Sequence, residues 1–126
     1  MENEQPKGKN IIKYRAYTFS LNVIDLLELL PKNYIFETIG KQLLRSATSI
    51  GANVIEAQAG RTRKDFANFY QIALKSSNET KYWLSILKEK IKDNNIFNKI
   101  NGLLKEAIEI SNMLGASLIT LKNKKL

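Results

Sequence analysis

The 126-residue sequence contains no cysteine and no histidine. Disulfides, thiol nucleophiles, His-based triads and zinc sites built on Cys or His are thereby excluded, and with them most simple catalytic plans. Only two prolines and six glycines occur, so few positions can interrupt a helix. No apolar run approaches the roughly 18 residues of a membrane span, because even the segment VIDLLELL is broken by Asp25 and Glu28. The opening MENEQPKGKN is polar and carries two acids, unlike the basic and apolar regions of a signal peptide, so the expected location is the cytoplasm. Acids are the scarce sign of charge: 12 Asp and Glu face 20 Lys and Arg, a net charge of +8. With a pI near 9.7, such a chain attracts anionic partners, specifically or not. A chain of this length forms one domain and buries roughly two thirds of its unfolded surface.

The sparse punctuation divides the chain into four helical stretches. A polar arm over residues 1–10 leads to a helix over 11–30, ended by Pro31, which lacks an amide donor and disfavours helical geometry just before it. Asn33 caps a second helix over 34–59, and Gly60, suited to a left-handed closing residue, ends it. Thr62 with Asp65 makes a variant capping box for a third helix over 63–92. The turn Asp93-Asn94-Asn95, with Asn95 as the cap, opens a fourth over 96–121, leaving a basic tail over 122–126.

Apolar spacing supports these boundaries. Steps of four and three link Phe66, Tyr70, Ala73, Ser77, Thr80, Leu84, Leu87 and Ile91 in the third helix, the seam of a bundle helix. The fourth offers Leu104, Ala107, Ser111, Leu114, Leu118 and Leu121, and the second Leu43, Ala47, Ile50, Val54 and Ala57. The first offers Tyr14, Tyr17, Leu21 and Ile24. Four amphipathic helices with short links predict an all-α, up-down-up-down antiparallel four-helix bundle. Ala47, Ala73 and Ala107 on the seams allow close approach of neighbouring backbones.

A second apolar stripe runs opposite the first on the third helix: Ile72, Trp83 and Ile86, with Tyr82 beside it and Glu79 within it. On the second helix Leu44, Thr48, Gly51 and Ile55 widen the apolar arc. Three readings account for this excess. A squat bundle buries broad arcs and leaves Trp83 partly exposed; the stripe is a subunit interface; or Tyr82 and Trp83, near Lys75 and Lys81, stack unpaired bases.

The polar residues of the second helix also share a face, with Arg45, Ser49 and Glu56 within about 40° of one another and Asn53 at the edge. They read as a structural network in which Arg45 pairs with Glu79 or Glu56. An acidic metal site from Glu56 and Glu79 lacks the Glu-x-x-His pattern of di-metal bundles, so neither metal nor cofactor is expected. Gly40-Lys41 resembles a phosphate loop only superficially, since Ile35 stands at the first glycine position and Gln42 follows the lysine.

In an up-down bundle the start of the first helix, the second turn and the end of the fourth helix share one end. Lys7, Lys9, Lys13, Arg61, Arg63, Lys64, Lys122, Lys124 and Lys125 would gather there, opposed chiefly by Glu2, Glu4 and Asp65. Such an end attracts a polyanion by phosphate contacts; the competing reading is a charge excess that only keeps the protein soluble. Lys88, Lys90, Lys92 and Lys99 form a smaller cluster at the other end.

The stretch LRSATSIGANVIEAQAGRTRKDFANFYQIALKSSNETKYWL resembles the four helix bundle protein family, which includes proteins encoded by intervening sequences in bacterial 23S ribosomal RNA genes. Arg45, Ser49, Ile50, Asn53 and Glu56, then Phe66, Ile72, Ala73, Ser77 and Glu79, match its pattern. Ala57-Gln58 stands where the family has Gly after the Glu, and Ser76 replaces a Gly. The resemblance implies a homo-oligomer, a pentamer, without known enzymatic activity. It is similar as well to the accessory bundle protein of diversity-generating retroelements, which binds nucleic acid and a reverse transcriptase. Three functional classes follow: a nucleic-acid-binding oligomer, RNA foremost; a scaffold docking a partner enzyme; and an enzyme, for which no arrangement of residues singles out a site.

Overall fold

The computed structural model describes residues 10–124, so the N-terminal arm before Asn10, and Lys125 in the tail, lie outside the described residues. Four helices follow in order: α1 (Asn10–Leu29), α2 (Tyr34–Ala59), α3 (Arg63–Lys90) and α4 (Asn94–Asn123). Each packs on its neighbours, α1 on α2, α2 on α3, α3 on α4 and α4 back on α1, with no diagonal contact of note. That pattern is a square, antiparallel bundle of up-down-up-down topology.

Side-chain caps set the helix starts. Asn33 accepts from the Phe36 amide at 3.0 Å, Thr62 from the Asp65 amide at 3.0 Å and Asp93 from the Ile96 amide at 2.9 Å. Asp93, rather than Asn95, is therefore the cap of α4, which starts two residues earlier than its apolar spacing predicts and runs on to Asn123. α3 stops at Lys90, short of the predicted 92, because Ile91 turns extended to bury its side chain. Gly60 is also extended (φ −68°, ψ 154°) and not left-handed. Glycine is favoured there by space, since a Cβ would sit 3.1 Å from the Ala57 carbonyl oxygen and 3.1 Å from Asp65 Cβ, both tight contacts.

The core faces of α2 and α3 follow the spacing: Leu43, Ala47, Ile50, Val54 and Ala57 are buried, as are Tyr70, Ala73, Leu84, Leu87 and Ile91, with Phe66 partly buried against them. α4 is rotated slightly from expectation, burying Ile100, Leu103 and Ile110 while Leu104 and Leu118 are only partly covered. α1 reverses it. Ile12, Ala16, Phe19, Val23, Leu26 and Leu30 are buried, whereas Tyr17, Leu21 and Ile24 are 42%, 45% and 40% exposed. Both stripes of α1 have heptad spacing, so periodicity alone does not choose between them. Ala16 chooses: its small side chain lets α2 approach until a Cβ on Gly51 would stand 3.5 Å away, a contact no residue of the outer stripe would permit.

Hydroxyls join the helices where larger side chains would not fit. Thr80 Oγ1 lies 2.8 Å from Ser46 Oγ, Ser76 Oγ donates to Ser49 Oγ at 2.9 Å, and Ser77 and Ser111 are 2.7 Å apart. α3 is thus tied to α2 on one side and α4 on the other. Among the described residues no buried side-chain nitrogen or oxygen lacks a partner, which keeps this polar seam from costing the desolvation of unpaired groups.

Leu84 is fully buried, and Leu84→Ala should lower unfolding free energy by about 2–5 kcal/mol. Gly102, whose added Cβ would meet nothing within 4 Å, should behave oppositely: Gly102→Ala raises it by about 0.5–1 kcal/mol. Urea midpoints at one protein concentration measure both.

Candidate nucleic-acid interface

The α2–α3 turn and the last turn of α4 meet at one end of the bundle. Arg63, the first residue of α3, donates from Nη1 to the backbone carbonyl of Lys124 at 3.3 Å, so the start of α3 is fastened to the end of α4. Arg61, Lys64, Lys122 and Lys124 are exposed around this junction and none forms an ion pair among the described residues. Arg61, Arg63 and Lys124 border a cleft of about 540 Å³ on the α2 side, while Lys64 and Lys122 line a groove of about 440 Å³ on the α3–α4 side. Arg63 belongs to both.

Lys13 stands back from this junction. The contact of Ala16 with Gly51 and that of Leu27 with Gly40 set an antiparallel register that places Lys13 level with Val54, about 9 Å along the bundle from Gly60 at 1.5 Å per residue. Lys125 lies outside the described residues. At the opposite end Lys88 stands over the Phe97 ring, 5.8 Å from its centroid, a cation–π contact among the smaller lysine cluster.

The residues grouped in sequence as one apolar excess occupy two faces. Leu44 lines the α1–α2 groove with Leu27 and Leu30, and Ile55 shares its side of α2, next to the outer stripe of α1. Ile72, Glu79, Trp83 and Ile86 lie on α3 along its groove with α2, where Ile86 shares the lining with Ile35 and Ile39. Trp83 is partly buried against the core, meets Tyr82 edge-on at 5.1 Å, and donates from Nε1 to Glu79 at 2.9 Å. Arg45 pairs with the same Glu79 carboxylate and donates to Gln42. Ser49 accepts from Asn53 and from Ser76. Glu56 departs from the expected network: it is exposed and takes no part in these bonds, because Arg45 reaches across to α3 instead.

Sequence reasoning missed Arg15. It grips Glu106 with two parallel bonds of 2.8 and 2.6 Å and reaches Glu109 at 2.7 Å, the fork geometry of a strong guanidinium–carboxylate pair. The hydrogen bonds to Glu106 and then Glu109 raise its pKa further, so it stays charged. This clamp ties α1 to α4. Glu106 and Glu109, three apart on one helical face, were the available signal, but their partner lies 91 residues away in the chain.

Chemically, the described residues hold no group of three or more acids, histidines or cysteines placed to bind a metal ion, and none of their helices is long and apolar enough to cross a membrane. A protein-family model described as 23S rRNA-intervening sequence protein matches residues 8–116. The chain belongs to that family. Its fold is shared by a protein with unknown function from the S23 ribosomal protein family of Bacteroides thetaiotaomicron VPI-5482, whose crystal structure superposes with a TM-score of 0.74 at 33% sequence identity, covering 87% of this chain and 96% of the other. No curated protein matches.

The Arg45–Glu79–Trp83 cluster makes a pH prediction. The bond from Trp83, and then the bond and charge of Arg45, hold the Glu79 carboxyl below the usual carboxylate range against the opposing effect of burial. A depressed folded value means that this contribution is present above the unfolded pKa and is lost as pH falls through the folded one; with Glu79 well exposed it is small. Emission from the single tryptophan should titrate below the usual carboxylate range, and Glu79→Gln should abolish that titration.

Proposed function

We propose that this protein is a non-enzymatic, homo-oligomeric bundle acting in the cytoplasm that binds nucleic acid, RNA foremost, through the end built by the α2–α3 turn and the end of α4. The observation that carries this reading is the convergence of Arg61, Arg63, Lys64, Lys122 and Lys124 around one junction, with Asp65 the nearest acid in sequence. A group of cations without ion-pair partners among the described residues suits the phosphates of a polyanion. The family's description, which names 23S rRNA, favours RNA as the first probe.

Self-assembly is supported by the two apolar faces. They differ in composition and share α2, which suits head-to-tail contacts between copies. Neighbouring sides of a square bundle face about 90° apart, and in a closed ring the two neighbours of a subunit lie about 90° apart for four members and about 108° for five. That geometry suits a closed ring of four or five members, the larger being the pentamer the family resemblance implies, and a parallel ring would repeat the basic end around its axis. A second reading, a scaffold docking a partner such as a nucleic-acid enzyme, is favoured by the apolar groove at the other end, where Tyr34 and Ile35 are 81% and 63% exposed.

Fluorescence anisotropy with structured RNA, single-stranded RNA and duplex DNA tests the binding reading. Replacing Arg61, Arg63 and Lys64 together by Ala should weaken binding at least about tenfold and make the log–log salt dependence shallower by about 2–3; binding that is absent at physiological salt in the parent protein refutes it and favours the scaffold. Light scattering tests assembly. Leu21→Glu and Ile72→Glu, on different faces, should each dissociate the oligomer, and mixing the two variants should yield dimers through the one remaining pair of intact faces. A monomeric parent protein would refute the ring.

A further inference from the structure

The cleft beside Arg63 has a lining that phosphate contacts alone do not require. Its lining joins the exposed cations Arg61, Arg63 and Lys124 to the partly buried Phe66 and Leu121, its apolar floor, beside buried Ala57. Phe66 is held in place from behind: its ring lies 4.2 Å from that of buried Tyr70, whose phenol is pushed up in pKa by burial and bonds to Gln58, another residue of the cleft. Ser117 and Thr120 line the same space. Arg63 spans its edge, one nitrogen committed to the Lys124 carbonyl and the rest of its donor fork free of any ion pair among the described residues.

We propose that this cleft receives one unpaired nucleotide of a bound strand, its phosphate at the rim cations and its base against Phe66 and Leu121. The proposal rests on the nucleic-acid reading above and narrows it from polyanions in general to strands with an unstacked base. The argument is one of paired chemistry. A bare phosphate needs the cations without an apolar floor, and an apolar ligand needs the floor without three cations. A duplex offers phosphates but keeps its bases stacked and out of reach. At about 540 Å³ the cleft falls in the range of small-ligand sites, which are mostly apolar with a few placed polar groups. A base has the flat surface that packs on an aromatic ring, a contact tolerant of sequence. The hydroxyls of Ser117 and Thr120 supply donors and acceptors for its edge.

The test compares two hairpin RNAs of equal length and charge, one with an unpaired adenosine tail and one with the same tail made abasic, by anisotropy at a fixed salt concentration. The adenosine tail should bind at least about fivefold more tightly, the lower bound for base–aromatic stacking. Thr120→Trp, which fills the cleft and removes no cation, should erase that difference. Phe66→Leu, which keeps the floor apolar without its ring, should reduce it, with circular dichroism confirming the helical fold of both variants. Equal affinity for the two tails in the parent protein would overturn the cleft proposal while leaving phosphate binding by the basic end intact. Failure of every strand to bind would overturn both readings. An acidic peptide ending in phenylalanine that binds the parent protein as tightly as the adenosine strand, and is lost in Thr120→Trp, would assign the cleft to a protein partner and overturn the nucleotide.

Discussion

The bundle depends on how closely α3 can lie against both its neighbours. Ala73 and Ser77 on α3, with Ala47 and Ser46 on α2 and Ala107 and Ser111 on α4, leave too little side chain at the seams to hold the backbones apart. Close approach then brings hydroxyls within hydrogen-bond distance, Thr80 to Ser46 and Ser77 to Ser111. Each pair is satisfied in a region sealed from water, where an unpaired hydroxyl would be costly. The larger apolar residues fill the space on either side of this narrow waist. Much else follows from it, including the register that sets the α2–α3 turn against the end of α4.

What could be read from the sequence divides along the same line. α2 and α3 were legible because one face of each carries the unbroken run of small and apolar residues, and the caps Asn33 and Thr62 stand directly before it. α1 was not, because two stripes with the same spacing compete and the deciding contact, Ala16 with Gly51, joins segments 35 positions apart. The role of Gly60 differs for a related reason: composition signals a special glycine, whereas the backbone is extended and it is the tight space near Asp65 and Ala57, and not φ, that favours it.

At the candidate site, topology alone brings Arg61, Arg63, Lys64 and the end of α4 together, so that grouping was legible. The displacement of Lys13 by nearly two turns depends on interhelical register, and the division of the apolar excess into two faces depends on which stripe α1 buries. Exposing Tyr17, Leu21 and Ile24 gives the molecule one apolar face beside α1 and another along α3, with the polar Arg45–Glu79 pair lying on the latter.

The bond from Arg63 to the Lys124 carbonyl makes the tip of the bundle a clasp. The last carbonyls of a helix are its least satisfied groups, and here one of them is held by a guanidinium that also borders the cleft. The remaining donors of that guanidinium are uncommitted among the described residues, so the same side chain can hold the final turn of α4 and face an anion. Fraying of that last turn, the slow or fast exchange of its amides, thus depends on a side chain 61 positions earlier in the chain.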